Sequence, residues 1–327
     1  MRCLNMTNLQ LEVLLLLTFS CCGLLAGDTP IIGVLSQGIY YNQKLDPKYH
    51  SYIAASYVKY LESAGARVVP VFIEKPLSYY EKVIKYTNGI LLPGGAVTFS
   101  STDGYTSAGQ IIYDLAIELN NKGDYYPIWG TCLGMELLPY VASKGKDFLS
   151  KCSAKKIAQP LHFTANFKSS KIFSRAPDEI VTILKLKNVT YNNHERCYTE
   201  ESFKLNKMDD FIVLSTNEDS NGFKFISSFE SKKYPFYGVQ FHPEKNNFEF
   251  KIGNNVPHSS EAIKMSQYFA NFFVEESKRN NHSYPDWESE MGALIYNFSP
   301  QFTGLNHSDF LQMYLFERDE YGSNEIF

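Results

Sequence analysis

The sequence predicts an α/β fold with a mainly parallel central sheet, helices on both of its faces, and extra, partly antiparallel strands. Two observations lead there. Short apolar runs alternate with longer segments of helical spacing through residues 30–130, the order that builds βαβ units. Between residues 155 and 230 the texture changes to short β-rich stretches separated by polar turns.

The elements follow in order. Pro30–Leu35 is continuously apolar, as a strand covered on both faces must be. Tyr49–Ala64 carries helical spacing and stops at Gly65. Arg67–Phe72 is the next strand, Leu77–Tyr86 a helix, Gly89–Leu92 a strand, Ser107–Asn121 a helix and Pro127–Gly130 a strand. Ile180–Leu184, Phe211–Leu214, Phe223–Phe229 and Tyr237–Phe241 read as later strands, and Ser259–Lys278 returns to helix. The tail from Asn280 is polar until Phe310–Phe316, which suits a docking strand. No repeat or low-complexity linker interrupts residues 27–327, so one domain with a C-terminal extension from about 280 is expected. Ligand sites of such sheets lie at strand C-terminal ends, where Gly94, Gly95 and Cys132 fall.

With 44% apolar residues among 327, the chain can bury a sizeable core. A net charge of −4 offers no electrostatic footing for nucleic acid. The 23 tyrosines and 24 phenylalanines are spread along the chain without basic interleaving, and read as core and surface aromatics.

The chemistry gathers in three motifs. Ile128-Trp129-Gly130-Thr131-Cys132-Leu133-Gly134 is an apolar strand running into Gly-x-Cys-x-Gly, where small neighbours let a nucleophile project from a tight strand-to-helix turn. Far along the chain comes Tyr237-Gly238-Val239-Gln240-Phe241-His242-Pro243-Glu244. If Tyr237–Phe241 is a strand, period two puts His242 and Glu244 on one side, as base and orienter for Cys132. A lone buried cysteine is usually a small core residue, but the flanking glycines and the His-x-Glu spacing are separate requirements met together. The third motif, Gly89-Ile90-Leu91-Leu92-Pro93-Gly94-Gly95-Ala96, exposes backbone N–H groups, and Gly95 with Leu133 would form an oxyanion hole.

These motifs, in this order, resemble the class I glutamine amidotransferase-like fold and, within it, the gamma-glutamyl hydrolase family of cysteine peptidases. The resemblance extends through Tyr52–Pro70, Trp129–Gly134, Gly238–Lys245 and Ala293–Pro300, and covers nearly all of the mature chain. It implies cleavage of γ-glutamyl bonds in folylpoly-γ-glutamates through a thiol acyl-enzyme, without metal or organic cofactor, by a homodimer. Gly94 would contact substrate. Amidotransferases of this class carry glutamine four residues after the nucleophile, whereas Glu136 stands here. It reads either as a partner for a substrate α-ammonium group or as an ordinary first-turn helix carboxylate. His194 matches a second histidine that the family places near the site, though Asn192-Asn193 precedes it in place of the expected Asn-Phe. Read alone, it is a solvated loop residue. The rival readings are a glutaminase of the amidotransferase type, which needs a synthetase partner, and a secreted binding protein that kept the fold and lost catalysis.

Residues 1–26 look like a cleaved secretory signal: Arg2, then an apolar run with small residues near Ala26. That implies lysosomal or secreted protein with no membrane span after cleavage, and gives meaning to the sequons at Asn188, Asn281, Asn297 and Asn306. The mature cysteines are then Cys132, Cys152 and Cys197, leaving the last two as a disulfide or as two free buried thiols. No Cys/His spacing resembles a zinc site.

Overall fold

The computed structural model describes residues 29–39, 45–99, 104–305 and 308–317. Its strands are β1 Ile31–Leu35, β2 Gln37–Gly38, β3 Tyr49–Ala54, β4 Arg67–Val71, β5 Gly89–Leu92, β6 Ile128–Thr131, β7 Ser150–Gln159, β8 His162–Phe163, β9 Thr190–Cys197, β10 Phe211–Glu218, β11 Lys224–Ser231, β12 Phe236–Val239, β13 Gln301–Phe302 and β14 Gln312–Glu317. Its helices are α1 Ala55–Glu62, α2 Leu77–Tyr86, α3 Gly104–Asn121, α4 Leu133–Ala142, α5 Lys171–Ser174, α6 Asp178–Leu186, α7 Glu200–Leu205, α8 Lys245–Phe248, α9 Ser260–Ser277 and α10 Trp287–Ala293.

An eight-stranded sheet in the order β4-β1-β5-β6-β12-β11-β10-β8 forms the centre. The first five strands are parallel neighbours, and β11, β10 and β8 continue the same sheet antiparallel. Period two divides its side chains. Ile32, Val34, Leu91, Trp129 and Tyr237 meet α1, α6 and α9 on one face. Val71, Ile90, Leu92, Ile128 and Phe236 meet α2, α3 and α4 on the other. Fully buried Trp129 packs against Phe269 and Phe273 of α9 and donates its indole N–H to Thr131 Oγ1 at 3.0 Å, which satisfies that group without water.

Two expected elements are corrected. Residues 49–54 form β3 rather than the start of a helix, because Tyr49–Ala54 pairs with β14 from the tail and with β2, and together with β13 these make a separate four-stranded sheet. Residues 180–184 lie inside α6 rather than in a strand. Pro177 at the N-cap and Asp178 and Glu179 in the first turn are start signals, and burial of Ile180, Val181, Ile183 and Leu184 has helical spacing, so these features outweigh the β-branched run. Of the strands from the β-rich stretch after residue 150, β8, β10 and β11 extend the central sheet, while β7 and β9 form a separate pair.

Cys152 and Cys197 are disulfide-bonded across that pair, with Cα atoms 6.2 Å apart, which decides between the two readings of these thiols. Among the described residues no helix is long and apolar enough to cross a membrane. Asn188, Asn281 and Asn297 are exposed, and the side-chain amide of Asn297 donates to the carbonyls of Met291, Gly292 and Leu294. The signal segment and Asn306 lie outside the described residues.

Candidate active site

Three neighbouring strands, β5, β6 and β12, end together, and each delivers one motif to the same place. The β6–β12 register matches Thr131 to Val239, and the Cys132 N–H donates to the Val239 carbonyl at 2.8 Å. Cys132 then turns into α4 with φ 51 and ψ −109, a conformation that side chains seldom adopt and that projects the thiol from a tight elbow. The turn needs its glycines. A methyl on Gly130 would sit 2.5 Å from the Gly134 carbonyl oxygen, and one on Gly134 would run into the Leu92 carbonyl.

His242 Nδ1 donates to Glu244 Oε1 at 2.8 Å, with both side chains buried. The pairing has a different origin from strand periodicity. Strand β12 stops at Val239, and the pair meets across a turn in which the Lys245 N–H returns to the His242 carbonyl at 3.3 Å. Glu244 is fully buried and its Oε2 makes no hydrogen bond. Gly94 fills the space between these parts. A methyl there would stand 2.7 Å from His242 Cε1, 2.8 Å from the Tyr57 hydroxyl oxygen and 3.1 Å from Cys132 Cβ, so thiol, imidazole and phenol surround one glycine.

Both polar groups of Gly94 are already used: its N–H donates to Tyr57 Oη at 2.8 Å and its carbonyl accepts from Gln37 Nε2 at 2.8 Å. Gly94 therefore supplies room, since its backbone polar groups are engaged within the protein. The adjoining Gly95 N–H makes no bond among the described residues. The Leu133 N–H, an orphan donor at the helix start, is directed at the Cys132 sulfur.

The environment sets the charges. Burial pushes the Cys132 thiol well up, Glu136 adds to that, and Lys245 and the Leu133 N–H oppose it. Burial pushes His242 down, against the opposing pull of Glu244. The resting pair is thus a neutral thiol beside a neutral base. Glu136 is buried on the first turn of α4, and burial raises its carboxyl to about 8 while its Oε1 accepts from Gln240 Nε2 at 2.8 Å. That same nitrogen lies 3.7 Å from Cys132 Sγ.

His194 is on β9 rather than in a solvated loop. It is 6% exposed, with Nδ1 3.0 Å from the Arg196 carbonyl oxygen and 3.4 Å from Cys152 Sγ, and Nε2 3.3 Å from Asn192 Oδ1. Burial pushes its pKa to about 3, so the ring is neutral and both nitrogens face the protein's own groups. The strand that holds it also supports the catalytic turn, since the His242 N–H donates to the Tyr191 carbonyl at 2.8 Å. Sequence reasoning assigns no role to Tyr57, Gln37 or Gln240. Of these only Gln240 carries a signal, as a polar residue between Val239 and Phe241 in an apolar run.

Over residues 30–244 the chain matches the Peptidase C26 family. Gamma-glutamyl hydrolase of Homo sapiens is 44% identical over 297 residues, 89% of this chain and 92% of that protein. Gamma-glutamyl hydrolase of Mus musculus is 41% identical, covering 89% and 90%, and gamma-glutamyl hydrolase B of Dictyostelium discoideum 38%, covering 92% and 88%. Among solved structures, a glutamine amido transferase from Methylobacillus flagellatus aligns with TM-score 0.43 at 8% identity, over 79% of this chain and 97% of that one. The family match ends on Glu244 of the His-Pro-Glu turn and the relatives align over nearly their whole lengths, so the chain belongs to the Peptidase C26 family.

Proposed function

We propose that this cysteine hydrolase of γ-glutamyl bonds acts on folylpoly-γ-glutamates through an acyl-enzyme on Cys132. The observation that carries the reading is the buried His242–Glu244 pair facing a cysteine held at positive φ, in a chain whose relatives are gamma-glutamyl hydrolases. With Nδ1 tied to Glu244, Nε2 of His242 is left to take the thiol proton as sulfur attacks the γ-amide carbonyl. The oxyanion is held by the N–H groups of Gly95 and Leu133. His242 returns its proton to the departing amine, leaving a thioester, and then deprotonates the water that releases the γ-carboxylate and restores the thiol. The chemistry requires neither metal nor organic cofactor. Purified mature protein should shorten a folate pentaglutamate and leave free glutamine untouched; glutaminase activity alone would overturn the reading in favour of the amidotransferase type.

Glu136 takes a different part from an ammonium partner. Every α-nitrogen in a folate polyglutamate is acylated, so the group it meets is an amide N–H, and the neutral carboxyl suits that contact. As pH rises through about 8 the carboxyl ionises beside Cys132 and beside an anionic substrate, so kcat/KM should fall there. Glu136→Gln, which resembles the neutral form, should stay within about threefold of wild type at acid pH and lose that alkaline fall. A ten- to hundredfold loss already at acid pH, roughly the value of a charged hydrogen bond, would mean that the ionised carboxylate contacts substrate. His194 acts in this reading by shaping β9 behind the site, rather than by touching substrate.

The same reading places the protein in the lysosome or outside the cell as a homodimer, with residues 1–26 removed and glycans on Asn188 and Asn281. Asn297, whose amide is tied to three carbonyls, is the poorer acceptor. N-terminal sequencing and the mass shift on N-glycosidase treatment test the first points, and light scattering the last. An intact Met1 with no glycan would overturn this location.

A further inference from the structure

Immediately after the His-Pro-Glu turn stands Lys245, 2% exposed. Its ammonium lies 4.8 Å from the Phe310 ring centroid and 5.6 Å from that of Tyr191. A cation that deep normally has a carboxylate in contact, because desolvation is otherwise uncompensated. Among the described residues Lys245 has no ion pair. Of the acids around it, Glu244 holds His242, and Glu249, whose carboxyl burial pushes up, accepts from the Leu311 N–H at 2.8 Å. Asp309, whose charge reaches His242 and Tyr191, is exposed and makes no ion pair with Lys245 among the described residues. The other cation that reaches this region, Arg196, is clamped at 2.7 Å by both oxygens of Asp147. The Tyr191 ring beside the ammonium lies 6.4 Å from the His242 ring, which places Lys245 next to the reacting centre, and its charge bears on both Cys132 and His242.

The substrate class proposed above raises an electrostatic difficulty. Each γ-linked residue carries a free α-carboxylate, and the charge of Glu244 together with a nascent oxyanion repels it. We infer that Lys245 receives the α-carboxylate of the glutamyl residue that acylates Cys132, and so selects γ-linked glutamate over a plain amide. This rests on the γ-glutamyl reading of the site. Two aromatic faces hold the lysine ammonium by cation–π contact while leaving it without a contact anion, a preorganised arrangement for a carboxylate. The tail residue Phe310 thereby helps to build the specificity pocket.

The test pairs enzyme and substrate changes. A γ-glutamyl peptide is compared with the analogue in which the α-carboxylate of the acylating residue is a carboxamide. Wild type should lose roughly ten- to a hundredfold in kcat/KM on the carboxamide, chiefly through KM. Lys245→Met should lose as much on the native peptide and nothing further on the analogue, and Lys245→Arg should recover part of the discrimination. Equal turnover of both peptides by wild type would overturn the inference without any variant, as would a Lys245→Met protein that still discriminates like wild type. Hydrolysis of neither peptide by wild type would overturn the γ-glutamyl reading itself, a separate failure.

Discussion

Cys132→Ala should reduce turnover of a γ-glutamyl substrate to below about one part in a hundred, with the fold unchanged. Loss of a nucleophile that acts together with its base typically costs several orders of magnitude, and only binding and the oxyanion donors survive it. The fold should tolerate the change because alanine keeps Cβ and the backbone turn, while Gly130 and Gly134 still make the close approaches to neighbouring backbone. Activity above that level would mean that the nucleophile lies elsewhere. Alkylation supplies an independent check, since Cys132 is the free cysteine among the described residues. Burial holds its thiol well above the usual range, so labelling should accelerate with rising pH without a plateau over the range in which the fold survives. A plateau near neutrality would show a thiolate formed in advance, and a general-base role for His242 would fall with it.

The parts of this molecule that were legible in the sequence are those in which local and global signals agree. Helix α2 and strand β5 fall on the expected residues because apolar period, Pro76 and Gly89 all point the same way. Cys132, His242 and Glu244 were visible as motifs, since each sits within a few residues of the end of an apolar strand. What could not be read depended on distant partners. Strand β3 exists because of β14, more than 250 residues later in the chain, and helical spacing in Ala55–Glu62 drew the preceding residues into the wrong class. Tyr57 and Gln37 look like ordinary core residues until the Pro93-Gly94-Gly95 loop folds onto them. His194 looked solvated because its neighbours are polar, and it is buried because β9 pairs with β7 and a disulfide closes over it. Glu136 was visible as a departure from the amidotransferase pattern, but its charge state was not. Only the desolvation supplied by the folded site makes it a neutral acid near pH 7.

His242→Asn should be as inactive as Cys132→Ala, whereas Glu244→Gln should keep a measurable remainder, roughly a hundredfold to ten-thousandfold below wild type. The difference lies in what each change leaves behind. Without the imidazole no group can take the thiol proton, and burial makes spontaneous ionisation of Cys132 costly. With glutamine at 244, the amide oxygen can still accept from His242 Nδ1 and keep the ring oriented. Its NH2 falls where the carboxylate Oε2 has no hydrogen-bond partner, a fully buried position in need of one. What is lost is charge. Glu244 favours the imidazolium against the burial that disfavours it, so His242 loses basicity in the variant. The sign follows directly. The base works when neutral, its pKa in the wild type already lies below the usual histidine value of about 6.5, and removing the carboxylate charge lowers it further. The acid limb of kcat/KM should therefore sit below about pH 6.5 in wild type and move to still lower pH in Glu244→Gln, while the plateau drops. An acid limb that moved to higher pH would show that Glu244 does not act on His242 through its charge. A Glu244→Gln protein as inactive as Cys132→Ala would give the carboxylate a direct part in proton transfer, in place of orienting the base.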